Sequence, residues 1–158
     1  MKLSEKGLEF IKKSEGCNLC AYRDSVGIPT IGWGHTKGVR MGTVITYKQA
    51  ESYLKEDIEP CERLLNSLGV SFRQEQFDAL VSWIFNLGTG KFTTSTLKRH
   101  IVSRRSEEEI ADQIIRWIYA GGKPLLGLKR RRIAEANMYV GKELYYLDKN
   151  SNIKKRRF

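Results

Sequence analysis

The chain opens with no apolar run: MKLSEKGLEFIKKSEG alternates charges with its apolar residues, so neither a secretory signal nor a membrane-spanning helix is read there. The expectation is a protein made in the cytoplasm. Cysteine is scarce and odd in number, at Cys17, Cys20 and Cys61, and no second CxxC or His-rich tract completes a zinc site. Neither a metal nor a cofactor is expected. Reduced thiols are the ordinary reading, although the spacing of Cys17 and Cys20 would permit a redox bridge in an oxidising compartment. Internal repeats and low-complexity linkers are also missing, which excludes solenoids and arrays.

What is present is a globular composition with a strong positive bias. At 158 residues and 41% hydrophobic, the chain suits one domain, read as two lobes around a shared core. A formal charge of +10 points to polyanionic partners: nucleic acid, anionic lipid or the acidic bacterial wall. Nucleic acid finds no motif to support it, since there is no basic recognition helix, no RNP-like aromatic pair and no zinc-finger spacing.

Leu3, Leu8 and Ile11, with Phe10 beside them, predict a short amphipathic helix that starts at Ser4 and stops at Gly16. Residues 17 to 38 then interrupt β-branched and aromatic residues with glycine, the pattern of a small antiparallel sheet and the only convincing β region. Thr46 and Gln49 form a capping box ahead of an apolar stripe at Ala50, Leu54, Ile58, Cys61 and Leu65, so a long helix over about 46–66 is expected to join the lobes. Pro60 should bend or break it. Ser71 reads as the cap of a strongly apolar helix through Phe77, Leu80, Val81, Ile84 and Phe85, which NLGTG at 86 to 90 ends. Further helices are expected at about 95–103, 107–119 and 128–140, the last two separated by the turn AGGKPLLG, followed by a loose basic tail. The fold class is therefore α+β and mostly α. Its small antiparallel β lobe takes in about 15–45, its larger helical lobe about 1–14 and 67–145, and the tail about 146–158.

Glu15 falls at the carboxyl end of the first helix. Eight residues intervene before Asp24 in the hairpin, and five more before Thr30 on the next strand. Hydrolysing a glycosidic bond requires a protonated acid on the leaving oxygen and a second group that holds a water or attacks the sugar carbon. The negative pole of a helix dipole and burial against apolar neighbours both favour an uncharged carboxyl at position 15, whereas a polar turn keeps Asp24 ionised. Taken singly, each residue also reads as ordinary: a surface glutamate, a turn aspartate and a strand threonine.

The run SEGCNLCAYRDSVGIPTIGWGHTKG resembles the active-site signature of the phage lysozymes of glycoside hydrolase family 24: Glu, eight residues, Asp, five residues, Thr, then GxGH. FNLGTGKF at 85 to 92 and WIYAGGKPLLGLKRRRIAE at 117 to 135 are similar to two further stretches of that family, in the same order. The resemblance implies a two-lobe lysozyme fold and a muramidase activity on the glycan strands of peptidoglycan, cutting the β-1,4 bond between N-acetylmuramic acid and N-acetylglucosamine. By it Glu15 is the general acid, and Asp24 with Thr30 positions the attacking water. Gly34, Thr36, Phe85 and Ser95 line the sugar cleft, Phe85 reading equally as a core aromatic. An inverting course would set the two carboxyls about 6.5–9.5 Å apart. His35 is expected to be structural, hydrogen-bonded between lobes. The family further implies a monomeric endolysin of a phage or prophage, held in the host cytoplasm until a holin opens the membrane and acting in the periplasm. The basic runs Lys129 to Arg132 and Lys154 to Arg157 read as solvated faces, or as attachments to anionic wall or outer-membrane lipid.

Overall fold

The computed structural model describes residues 1–157. Helix α1 (Glu5–Glu15) begins where its cap predicts: the Ser4 hydroxyl accepts from the Gly7 amide at 3.1 Å, and Gly16 at φ 68° ends the helix. Leu8 and Ile11 form its buried stripe. Gly7 brings α1 close to helix α3 (Gln74–Leu87), because a Cβ there would fall 2.7 Å from Asp78 Cγ. Asp78 repays that approach by accepting from the Ser4 amide at 3.0 Å.

Strands β1 (Asn18–Arg23) and β2 (Pro29–Gly32) follow as an antiparallel hairpin, with Tyr22 opposite Thr30 and Arg23 opposite Pro29. The capping box of Thr46 and Gln49 then starts α2 (Tyr47–Asn66), a helix of 20 residues and about 30 Å. Pro60 does not break it. Ala50, Leu54, Ile58, Cys61 and Leu65 are buried along one face on both sides of the proline, and that packing outweighs the loss of one backbone donor.

Helix α3 is the centre of the core, with Phe77, Leu80, Val81, Trp83 and Ile84 all at 0% exposure. It is capped by Arg73 rather than Ser71, because the Gln76 side chain reaches back to accept from the Arg73 amide at 2.9 Å. After the short α4 (Thr89–Thr93), Ser95 caps α5 (Thr96–Val102) and Ser106 caps α6 (Glu107–Ile115). The sixth helix stops short of the predicted residue 119. Gly121 and Gly122, both at positive φ, make a two-residue turn that pairs β3 (Tyr119–Ala120) with β4 (Lys123–Pro124), the turn type that matches strand twist.

Helix α7 (Leu126–Val140) packs on α3 and α6. Beyond it the chain is not loose. Strands β5 (Tyr145–Leu147) and β6 (Ile153–Lys155) pair, Tyr145 is buried and its hydroxyl donates to Asp112, and Lys155 lies 2.8 Å from both Glu108 and Asp112. The described residues thus hold three hairpins where one was expected. No helix among them is long and apolar enough to cross a membrane.

Candidate active site

Glu15 arrives at the last residue of α1, with its side chain 22% exposed at the edge of a cleft of about 420 Å³. The segment after β2 supplies Trp33, Gly34 and Thr36 to one wall, α2 supplies Asp57, Pro60 and Cys61 to the floor, and α3 supplies Ile84, Phe85 and Asn86 opposite. Gly34 stands at φ 80° with nothing within 4 Å of where a Cβ would sit, so the backbone there is open to a ligand. On the other side of Glu15 a second hollow, of about 550 Å³, is lined by Phe10, Leu125, Leu128, Arg130 and Arg131 and shares Glu15 and Asn86 with the first. Glu15 therefore borders both hollows.

Four of the residues singled out from sequence, Glu15, Gly34, Thr36 and Phe85, meet in that cleft. Asp24, Thr30 and Ser95 are not on its lining. Asp24 organises the β1–β2 turn: its Oδ1 accepts from the amides of Val26 at 3.0 Å and Ile28 at 2.9 Å. Thr30 is buried, and its hydroxyl donates to the Ile28 carbonyl at 2.9 Å. Both side chains thus fasten onto the backbone of Ile28, which holds them in one fixed relation. Ser95 is buried, accepts from the Lys98 amide at 3.0 Å and donates to the Phe92 carbonyl at 2.6 Å, as the cap of α5.

His35 takes a structural place. Its Nδ1 lies 2.8 Å from Asp57 Oδ2 and its ring stacks on Tyr53 with centroids 4.1 Å apart, tying the β hairpin to α2. Cys17 and Cys20 are both exposed and free. Burial pushes the Cys17 thiol up against the pull of Lys12, which disfavours the reactive thiolate. Cys61, on the cleft floor, is buried and pushed up to about 12.

The apolar surroundings expected for Glu15 are replaced by a charge network. Arg131 reaches from α7 and places Nη1 2.5 Å from Glu15 Oε1, while its Nη2 donates to the Ser82 carbonyl and hydroxyl at 3.2 and 3.3 Å. Its Nε lies 3.4 Å from Glu135 Oε2. Glu135 is at 0% exposure, accepts from the Ser82 hydroxyl at 2.6 Å and meets Arg132 Nε at 2.6 Å. Burial pushes the Glu135 carboxyl up, and the two guanidinium groups pull it the other way. The expectation of a solvated basic face on this helix therefore fails for Arg131 and Arg132, which are almost wholly buried, because charged groups enter a core when they are paired. Asn86 was also missed: its Oδ1 is buried with no hydrogen-bond partner among the described residues.

A mostly helical fold with a small hairpin lobe and a cleft beside it is the architecture of a lysozyme-type hydrolase. The chain belongs to the phage lysozyme family, whose model matches residues 12–135. It is 42% identical over 144 residues to the endolysin of Acyrthosiphon pisum secondary endosymbiont phage 1, covering 88% of this chain and 98% of that one. Among solved structures it is similar to the endolysin from Escherichia coli O157:H7 phage FAHEc1, at TM-score 0.79 and 40% identity over 89% and 94% of the two chains. It is also similar to the muramidase domain of SpmX from Asticaccaulis excentricus, at TM-score 0.81 and 34% identity over 88% and 97%.

Proposed function

We propose that the chain is an endolysin that cuts the β-1,4 bond between N-acetylmuramic acid and N-acetylglucosamine in bacterial peptidoglycan, with Glu15 as proton donor. The observation that carries this reading is the position of Glu15, at a helix end and on the lining of both hollows, which together make the groove proposed for the glycan. A glycan strand laid along the groove crosses that carboxyl. Arg131 occupies Oε1, so the transferable proton is carried on Oε2. Asp24 and Thr30, fixed through Ile28, position the water that attacks the sugar carbon. Gly34, Thr36 and Phe85 contact the sugars with backbone, hydroxyl and aromatic face, and Ser95 supports that wall as the cap of α5.

The attack is on the face opposite the leaving group, and the anomeric centre inverts. NMR of freshly formed products reads the anomer directly, and retention would replace the water-positioning role of Asp24 with a nucleophilic one. The protein acts as a monomer, waits in the host cytoplasm and reaches the periplasmic wall when a holin opens the membrane. The basic residues of the β5–β6 hairpin speed its arrival at anionic wall or outer-membrane lipid, an effect that weakens with salt.

Glu15→Gln tests the central claim. The amide keeps size and hydrogen-bonding shape but has no proton to donate, so clearing of a murein suspension falls by about 10²–10⁴-fold while the thermal melt is nearly unchanged. Full-speed clearing by purified Glu15→Gln would sink the assignment.

A further inference from the structure

We propose that Glu135 is a positioning residue for the hydrolytic reaction, holding the Arg131 guanidinium against Glu15 through a buried sequence of contacts that runs Arg132, Glu135, Arg131, Glu15. The inference rests on the reading of Glu15 as proton donor. Every nitrogen of the Arg131 guanidinium is engaged: Nη1 with Glu15, Nη2 with Ser82 and Nε with Glu135. Glu135 also accepts a hydrogen bond from the Ser82 hydroxyl, which turns that oxygen's lone pair toward Arg131. Removing the carboxylate releases Arg131 at one end and lets the Ser82 hydroxyl rotate.

Three ionised side chains in a helix that packs on the core are costly, and apolar residues of similar size would satisfy stability as well or better. The order of the contacts explains their presence. The charged groups that meet here are Glu15 from α1 and Arg131, Arg132 and Glu135 from α7, with Arg130 on the rim of the adjoining hollow. Helix α3 contributes only the neutral Ser82 and Asn86. Without Glu135, two guanidinium groups would face the single carboxyl of Glu15. Glu135 supplies the second counter-charge and, through Nε, fixes the direction from which Arg131 meets Glu15.

The test compares the full chain with Glu135→Gln, Arg131→Gln and the double variant, in initial rates on soluble glycan-strand fragments well below the melting temperature. Glu135→Gln lowers kcat by about 10- to 100-fold, the scale of a small misplacement of a catalytic group, with KM changed by less than about two-fold. The alkaline limb of its pH–rate profile moves to lower pH. In the Arg131→Gln background, adding Glu135→Gln changes kcat by no more than about two-fold, because both variants break one unit. A wild-type kcat and pH profile per folded molecule, or effects that multiply in the double variant, would overturn the proposal. Should Glu135→Gln fail to fold, Ser82→Ala decides: a several-fold fall in kcat at constant KM supports the proposal, and a wild-type kcat overturns it. A Glu15→Gln variant in the same assay separates the two readings. If it clears substrate at full rate, the donor assignment fails and takes this inference with it; if it is inactive while Glu135→Gln is wild-type, only this inference fails.

Discussion

Two hairpin turns, 124 positions apart, are built alike and serve different ends. In the first, Asp24 Oδ1 accepts from the amides of Val26 and Ile28, the Gly27 amide donates to the Asp24 carbonyl at 2.9 Å, and the Asp24 amide donates to the Ile28 carbonyl at 3.0 Å. In the second, Asp148 Oδ1 accepts from Asn150 and Asn152, both at 2.9 Å, with the Ser151 amide on the Asp148 carbonyl at 3.0 Å and the Asp148 amide on the Asn152 carbonyl at 2.9 Å. The fourth residue of each loop is left-handed, Gly27 at φ 86° and Ser151 at φ 60°. An aspartate that closes its own turn is thus not evidence of catalysis. What separates Asp24 is its neighbour: the strand after its turn carries Thr30, whose hydroxyl lands on the same Ile28 backbone, whereas the strand after Asp148 carries Ile153, Lys154 and Lys155.

Truncating the two aspartates gives the largest contrast. Asp24→Ala lowers wall lysis by about 10²–10⁴-fold, while Asp148→Ala leaves it within about two-fold. Both lose a turn acceptor, so turbidity clearing per folded molecule reads the chemistry and not the scaffold. Asp24→Asn sharpens the result, because the amide oxygen still accepts from Val26 and Ile28 but carries no charge. Its lysis falls as far as that of Asp24→Ala; an Asn variant with full activity would mean that the turn, and not the carboxylate, is what the reaction needs.

The same pair shows what was legible in the sequence. The first hairpin is announced by glycine at its left-handed position, and so is the β3–β4 turn, where Gly121 and Gly122 read as a turn but the two short strands beside them did not. The second Asp turn carries serine at that position, a residue that rarely adopts it, and its tail read as loose. Long helices with caps at Ser4 and Thr46 were legible because local hydrogen bonds alone start them. The carboxyl at position 15 was legible only through its motif, and its surroundings were not. Arg131 and Arg132 look the same in sequence as Lys154 and Lys155; the difference lies in Glu135, placed four and three residues along the same helix, a spacing that brings side chains together. Pairs such as Ser82 with Glu135 join distant segments and left no local trace.

Exchanging the residues at the two left-handed positions has a smaller effect, on stability. Gly27→Ala meets no neighbour within 4 Å, so its cost is conformational, about 1–2 kcal/mol. Ser151→Gly relieves the same strain and gains up to about 1 kcal/mol after the added freedom of the unfolded chain. For a chain of this size the melting temperature moves by about 2–4 °C per kcal/mol, down for the first variant and up for the second. Shifts of the same sign in both variants would mean that the two turns do not share one backbone geometry.

The smallest effect belongs to the carboxylate of Asp148. Amide hydrogen bonds, from Asn152 first and Asn150 next, hold it below its ordinary value of 3.8. A group whose folded value is depressed supports the fold above its unfolded value and loses that support as pH falls through the folded one. The β5–β6 turn therefore keeps its closure at neutral pH and slackens only below the ordinary aspartate range. Proton NMR of the Asn150 and Asn152 amides follows it: their shifts titrate at a pH below 3.8, and Asp148→Asn abolishes the transition. Titration at or above the ordinary value would show that the backbone closes this turn by itself, and that its match to the Asp24 turn is one of shape and not of charge.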